Sequence, residues 1–182
     1  LSIIRRDFNI MNGIEQLVVG TMFGVVGAVA QPLPEDVKSK SVECLALNMY
    51  HEARGQGTAG ELAVTTVVMN RVNDSRFPNT ICGVVKQGPT RPSWKDPKIS
   101  FPIKHKCQFS WYCDGKSDKP RDEKTYEKMI DFADTILSNK LLYLDITDGA
   151  THYHADYVNP SWAKTKTKTV EIQDHIFYRW EK

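Results

Sequence analysis

The chain lacks a hydrophobic run long enough to span a bilayer. Its longest uncharged apolar stretch, Leu17 to Ala30, has fourteen residues, against the roughly twenty that a transmembrane helix needs. Net charge is nearly absent too: +2 over 182 residues, with no basic block, so the electrostatic footprint of a nucleic-acid binder is missing. Cysteine is sparse. Cys44, Cys82, Cys107 and Cys113 form no CxxC pair, which removes a zinc-ribbon reading. The pair His51-Glu52 would open a zinc-protease motif only with histidine at position 55, and that position holds Gly55. No internal repeat or low-complexity run is present, so a solenoid is excluded.

What remains is an ordinary globular balance, 41% hydrophobic and 25% charged, enough for one compact domain with a real core. The even cysteine count leaves two readings open: two disulfides in an oxidising compartment, or buried free thiols. The N-terminal stretch is distinct. Arg5 and Arg6 precede the apolar run, and Ala28-Val29-Ala30 gives a small-residue cleavage pattern. Export, or membrane contact through residues 14–30, is expected, with action at the periplasm or cell wall. The alternative is a glycine-rich helix packed on the domain. Gln31-Pro32-Leu33-Pro34 reads as a linker. Residues 1–38 are therefore expected to be a signal- or anchor-like segment with its linker, and 39–182 the folded domain.

Helical spacing of Val42, Leu45, Ala46, Met49 and Ala53 predicts a first helix over 39–53, capped by Ser39 or Ser41 and ended by Gly55 and Gly57. Thr58-Ala59-Gly60-Glu61 reads as a capping box for a second helix running to about Val72. A short helix over 80–86, a long polar loop over 88–106 and an amphipathic helix over 121–138 follow. Alternation over 151–157, 165–172 and 175–180 predicts strands. Lys164, Lys166 and Lys168 would then share one face of an edge strand. The expected class is α+β, mainly helical, with a small β-sheet in the C-terminal third.

The informative stretch is Asn48 to Gln56, NMYHEARGQ. Glu52 falls near the C-terminal end of the first helix, where the helix dipole disfavours ionisation. Burial would raise its pKa further. A carboxylic acid kept protonated near neutrality is what a glycosidic oxygen needs as proton donor. The bland alternative is a surface helix residue. Arg54 should point away from Glu52. His152, His154 and His175 offer a zinc set, or hydrogen bonding within the sheet.

Several blocks together carry a resemblance. They are Tyr50-His51-Glu52-Ala53-Arg54-Gly55; the segment from Ala63 to Pro78, with its asparagine-arginine pair and phenylalanine-proline turn; Cys107-Gln108-Phe109-Ser110-Trp111-Tyr112-Cys113-Asp114-Gly115; the segment from Ala150 to Trp162; and His175-Ile176-Phe177-Tyr178. In this order, over about Ser41 to Tyr178, they resemble the cell wall hydrolase family of spore cortex-lytic enzymes and related phage lysins. The cysteine-bounded block is similar to the branch named after CwlJ. The resemblance implies a fold akin to lysozymes and lytic transglycosylases. It implies cleavage of the MurNAc–GlcNAc β-1,4 bond of peptidoglycan glycan strands. A monomer without metal or other cofactor is expected. It places the catalytic glutamate at Glu52, with Gln108, Phe109 and Ser110 lining the cleft opposite. Tyr112, Tyr153, Asn159 and His175 are further substrate-binding candidates, and Trp111 and Trp162 offer sugar-stacking faces.

A lone glutamate suits a lytic transglycosylase, because most other glycosidases use two carboxylates. A muramidase-type hydrolase, a zinc-dependent amidase built on the late histidines, and a non-catalytic wall-binding or virion structural module are the rival readings. A phage endolysin, a virion-associated lysin and a bacterial wall-remodelling enzyme all suit the sequence.

Overall fold

A computed structural model describes residues 34–138 and 144–181. The N-terminal apolar segment and its expected export or membrane role lie outside the described residues. Among those described, no helix is long and apolar enough to cross a membrane.

Four helices come first. They are α1 (Glu35–Ala53), α2 (Gly57–Val72), the short α3 (Ile81–Val85) and, after a hairpin, α4 (Glu123–Ser138). The hairpin pairs β1 (Thr90–Pro92) with β2 (Ser100–Pro102). A second sheet holds β3 (His152–Ala155), β4 (Thr167–Ile172) and β5 (His175–Arg179) in the order β3-β5-β4, all antiparallel. The α+β, mainly helical class with a C-terminal sheet is what the sequence predicts. The sequence misses the hairpin, which lies within the stretch read as loop.

Helix α1 begins before Ser39. Pro34, with φ −52°, occupies the N-cap position, and Glu35 and Asp36 fill the first turn, where acidic side chains complement the dipole. Ser41 does not cap the helix; its hydroxyl donates back to the Val37 carbonyl at 2.8 Å. The capping box at Thr58 is also absent. Helix α2 starts at Gly57 with Gln56 as N-cap and no side-chain cap. Gly55 (φ +92°) and Gly57 (φ +64°) take left-handed backbone, a conformation that costs glycine little, so the chain turns from α1 into α2 within one tight corner. The Gln56 amide meanwhile donates to Asp174 at 3.2 Å. The short helix expected over 80–86 spans Ile81–Val85, and Thr80 caps it, accepting from the Gly83 N–H at 3.1 Å.

The core forms where α1 meets the other helices. Leu45, Ala46 and Met49 of α1, Val64 and Val68 of α2, Val84 and Val85 of α3, and Met129 and Ala133 of α4 are buried together. A side chain the size of Leu45 or Met49 contributes about 1.5–3 kcal/mol when fully buried. The other face of α2, through Ala63 and Val67, packs on Ala150 and Phe177 beside the C-terminal sheet. That explains why α2 is apolar on more than one side, whereas α4 is amphipathic. Thr65 and Thr66 are tolerated inside because their hydroxyls donate to the carbonyls of Glu61 and Leu62, both at 2.8 Å. Of the two cysteine readings, the disulfides hold: Cys44–Cys82 joins α1 to α3, and Cys107–Cys113 closes a short loop after the hairpin. Strand β4 is an edge strand, as expected, but only Lys168 of the three lysines lies on it; Lys164 sits in the 3-10 turn Ser161–Thr165 and Lys166 caps that turn.

Candidate active site

The last two turns of α1 present two faces. Residues 50 and 54 lie one above the other, and residue 52 points nearly opposite. On the first face the Tyr50 hydroxyl oxygen accepts from the backbone N–H groups of Arg121 and Asp122, both at 3.0 Å, and from Arg54 Nη1 at 2.5 Å. Tyr50 and Arg54 therefore anchor the entry to α4, and Arg54 is turned away from Glu52 as predicted. His51 stacks on Trp111 with ring centroids 4.5 Å apart, and its Nε2 lies 3.0 Å from the Asp118 carbonyl oxygen.

Glu52, on the other face, is half-buried and meets the sheet. The Tyr153 hydroxyl donates to Glu52 Oε2 at 2.9 Å. Burial raises the Glu52 pKa. The Tyr153 hydrogen bond, and the charges of His51 and Arg71, oppose that rise. Tyr153 itself is pushed well up by burial and by the nearby carboxylate, so it stays a phenol and a donor. Its ring rests edge-on to His175 at 5.0 Å and tilted on Phe177 at 5.5 Å.

A third charged group completes the cluster. Arg71 is 5% exposed. Its Nε donates to the Thr151 carbonyl at 2.7 Å, two positions before Tyr153 and just ahead of β3. Its guanidinium carbon lies 5.3 Å from the ring centroids of both Phe77 and Phe109, and its Nη1 is buried without a hydrogen-bond partner. Asn70 secures the turn before the strand, donating to Asp145 Oδ2 at 3.1 Å and to the Ala150 carbonyl at 3.0 Å. The asparagine-arginine pair thus fixes the strand that carries Tyr153. Burial lowers the Arg71 pKa, and Tyr153 and Glu52 counter it.

The remaining candidates divide. Phe109 is buried against Arg71, while Gln108 and Ser110 on either side of it are exposed. Through Phe109 and Trp111 this segment is pinned to Arg71 and His51, the neighbours of Glu52. Tyr112 is half-buried and edge-on to Trp111 at 6.1 Å, so its ring serves the core. Trp111 is buried against His51, and Trp162 is half-buried among His152, His154 and Tyr178. His175 is buried and supports Tyr153, and burial lowers its pKa. Asn159 is exposed after β3.

His152 bonds Thr151 Oγ1 at 2.9 Å, and burial, with Arg71, Lys166 and Arg76 nearby, pushes its pKa down to about 3. His154 stacks on Tyr178. Among the described residues no three His, Cys, Asp or Glu side chains converge as a metal site would require. Two concavities of about 430 and 450 Å³, one between α1 and α4 and one beside residues 118–126, are lined without Glu52.

A mostly helical domain packs against a three-stranded sheet, and Glu52 lies where the two meet. The chain belongs to the cell wall hydrolase family, whose model matches residues 55–178. The match begins just after Glu52 and includes Arg71, the 108–110 segment and Tyr153. Among curated proteins, it is 38% identical over 58 residues to the spore cortex-lytic enzyme of Bacillus subtilis (strain 168), covering 32% of this chain and 19% of that protein. It is 24% identical over 152 residues to the spore cortex-lytic enzyme of Oceanobacillus iheyensis, covering 83% and 46%. The chain spans less than half the length of these relatives. The fold is shared with the catalytic domain of the germination-specific lytic transglycosylase SleB from Bacillus anthracis, at TM-score 0.55 and 24% identity, covering 81% of this chain and 100% of that one. The catalytic domain of the Bacillus cereus SleB protein matches at TM-score 0.55 and 25% identity, covering 84% and 100%.

Arg71 is the site residue that sequence reasoning passed over. Its pairing with Asn70 was visible, but a buried arginine carries no mark in helical spacing. Tyr153, one of several carry-overs from the resemblance, proves to be the residue in contact with Glu52.

Proposed function

We propose that this domain cleaves the MurNAc–GlcNAc β-1,4 bonds of peptidoglycan as a lytic transglycosylase, with Glu52 as the single acid and base. The observation that carries the reading is the desolvated Glu52 carboxyl held by Tyr153 in the field of Arg71. Burial keeps the acid protonated enough to donate, while Tyr153 and Arg71 stabilise the carboxylate left behind. Glu52 gives its proton to the bridging oxygen as the bond to the anomeric carbon breaks, and the bonding pair leaves with the GlcNAc oxygen. The carboxylate then takes the proton of the MurNAc 6-hydroxyl, whose oxygen closes on the anomeric carbon. The product is a 1,6-anhydro sugar, no water is consumed, and the acid is regenerated. Exposed Gln108 and Ser110 flank Phe109 and are assigned to hydrogen bonding with the strand.

Two disulfides among the described residues support action outside the cytoplasm. We assign the chain to a lysin that reaches the wall from the membrane side, its N-terminal apolar segment serving export. The test is digestion of purified sacculi with mass spectrometry of the fragments. Anhydro-muramyl ends are expected from the wild type and no soluble fragments from Glu52→Gln. Reducing ends carrying added water would instead identify a muramidase.

A further inference from the structure

The β1–β2 hairpin has a composition that folding does not explain. Trp94 is 87% exposed, Phe101 51% and Ile99 50%. Single exposed apolar residues are ordinary; three on one short arm are not. The arm and the segment just after it carry Arg91, Lys95, Lys98, Lys104 and Lys106 against one acid, Asp96. All five cations are exposed, and among the described residues none forms a salt bridge. A chain of net charge +2 therefore concentrates positive charge here. The Lys95 amine lies 5.2 Å from the Trp94 ring centroid, so an aromatic face and a cation are offered together.

The arm is stiff and rooted beside the candidate site. Pro89, Pro92, Pro97 and Pro102 restrict its backbone. The turn is held by Ser93 N–H to the Ile99 carbonyl at 2.7 Å and by Lys98 N–H to Asp96 Oδ1 at 3.0 Å. At the base, Gln108 N–H donates to the Gln87 carbonyl at 2.8 Å, and His105 N–H to the Cys113 carbonyl at 2.9 Å. Gly88 lies so close that a Cβ there would stand 2.9 Å from Cys107 Sγ. The Cys107–Cys113 disulfide then clamps this base to the turn carrying Ser110 and Trp111.

We propose that the β1–β2 arm is a second binding surface for the wall polymer, an amino-sugar strand bearing carboxylates. Trp94 stacks on a sugar face, and the lysines and Arg91 meet the carboxylates. The ligand's identity rests on the peptidoglycan reading above. The binding surface itself rests on exposed aromatics, unpaired cations and continuity with the 107–113 block. A rigid arm loses little freedom on binding, and attraction between exposed charges is weakened by salt.

The test compares sedimentation of Glu52→Gln protein with purified sacculi, with and without the added changes Trp94→Ala, Lys95→Ser and Lys98→Ser. All three positions are exposed, so the thermal midpoint should not move. The arm changes are expected to weaken sacculus binding about tenfold, roughly 1.4 kcal/mol. Sacculi with methyl-esterified carboxylates should weaken the intact arm's binding similarly. Equal binding with and without the arm changes overturns the arm while leaving the substrate in place. Failure of the Glu52→Gln protein to bind sacculi at all overturns both. Arm-dependent binding to anionic phospholipid vesicles with unchanged sacculus binding identifies a membrane surface instead and overturns the proposal.

Discussion

Tyr153 reaches across 101 positions of sequence to donate a 2.9 Å hydrogen bond to Glu52. The two residues come from different parts of the fold, the last turn of α1 and the strand β3. Arg71 joins them from α2 by fixing the carbonyl of Thr151. The proposed acid is thus positioned where the helical layer meets the sheet, and its protonation is set by three elements at once.

Replacing Tyr153 with phenylalanine isolates the hydroxyl, because the ring contacts with His175 and Phe177 remain. The bond favours the Glu52 carboxylate, so losing it raises the pKa further. An acid must be protonated to donate, so activity falls as pH rises through that pKa. The basic limb of the activity–pH profile should therefore move upward in Tyr153→Phe. A limb that stays in place would sever Tyr153 from the protonation of Glu52.

Stability should carry the same signature. The Glu52 pKa is raised in the folded state, chiefly by burial. Folding is favoured with respect to this group below the unfolded carboxyl pKa, and that advantage is lost as pH rises through the folded value. Glu52→Gln cannot ionise and escapes the loss. Its thermal midpoint should exceed that of the wild type by more at pH 8 than at pH 4. A gap that does not change with pH would mean that the carboxyl is solvated.

The helices, the sheet and the catalytic candidate were legible because their signals are local. Periodicity marked α1, α2 and α4, and alternation marked the late strands. Glu52 stood out through its helix-end position and the resemblance of its motif. What escaped depends on contacts distant in sequence. Gln56 replaces Thr58 at the start of α2 because two left-handed glycines set the corner and Asp174 engages the glutamine side chain. The hairpin at 90–102 is only three residues per strand, too short for alternation to register among prolines. Tyr112 and Asn159 lie in motif-like segments, yet their neighbours send one toward the core and leave the other exposed.

Arg71→Lys tests the brace. Lysine keeps the charge but lacks the planar fork whose Nε meets the Thr151 carbonyl at 2.7 Å. The buried carbonyl loses a charge-assisted partner, at a cost of about 1.5–3 kcal/mol. The urea midpoint should fall accordingly, and the cleavage rate should fall with it because Tyr153 loses its mooring. An unchanged urea midpoint would show that the strand is held in place without Arg71.

The two disulfides should differ in what they contribute. Cys44 and Cys82 are separated by 38 positions, and Cys107 and Cys113 by 6. A cross-link restricts the unfolded chain more when it closes a longer loop, so the chain-entropy model gives about 4 kcal/mol for the first and about 2 kcal/mol for the second. Cys44→Ala with Cys82→Ala should therefore lower global stability more than Cys107→Ala with Cys113→Ala. The second pair lies beside the 108–110 segment, so its removal should show mainly as weaker sacculus binding. Urea unfolding of both double variants, measured alongside sacculus sedimentation, separates the effects. A larger stability loss from the short loop would mean that Cys107–Cys113 stabilises the native core directly, through the buried Phe109 and Trp111 that it brackets.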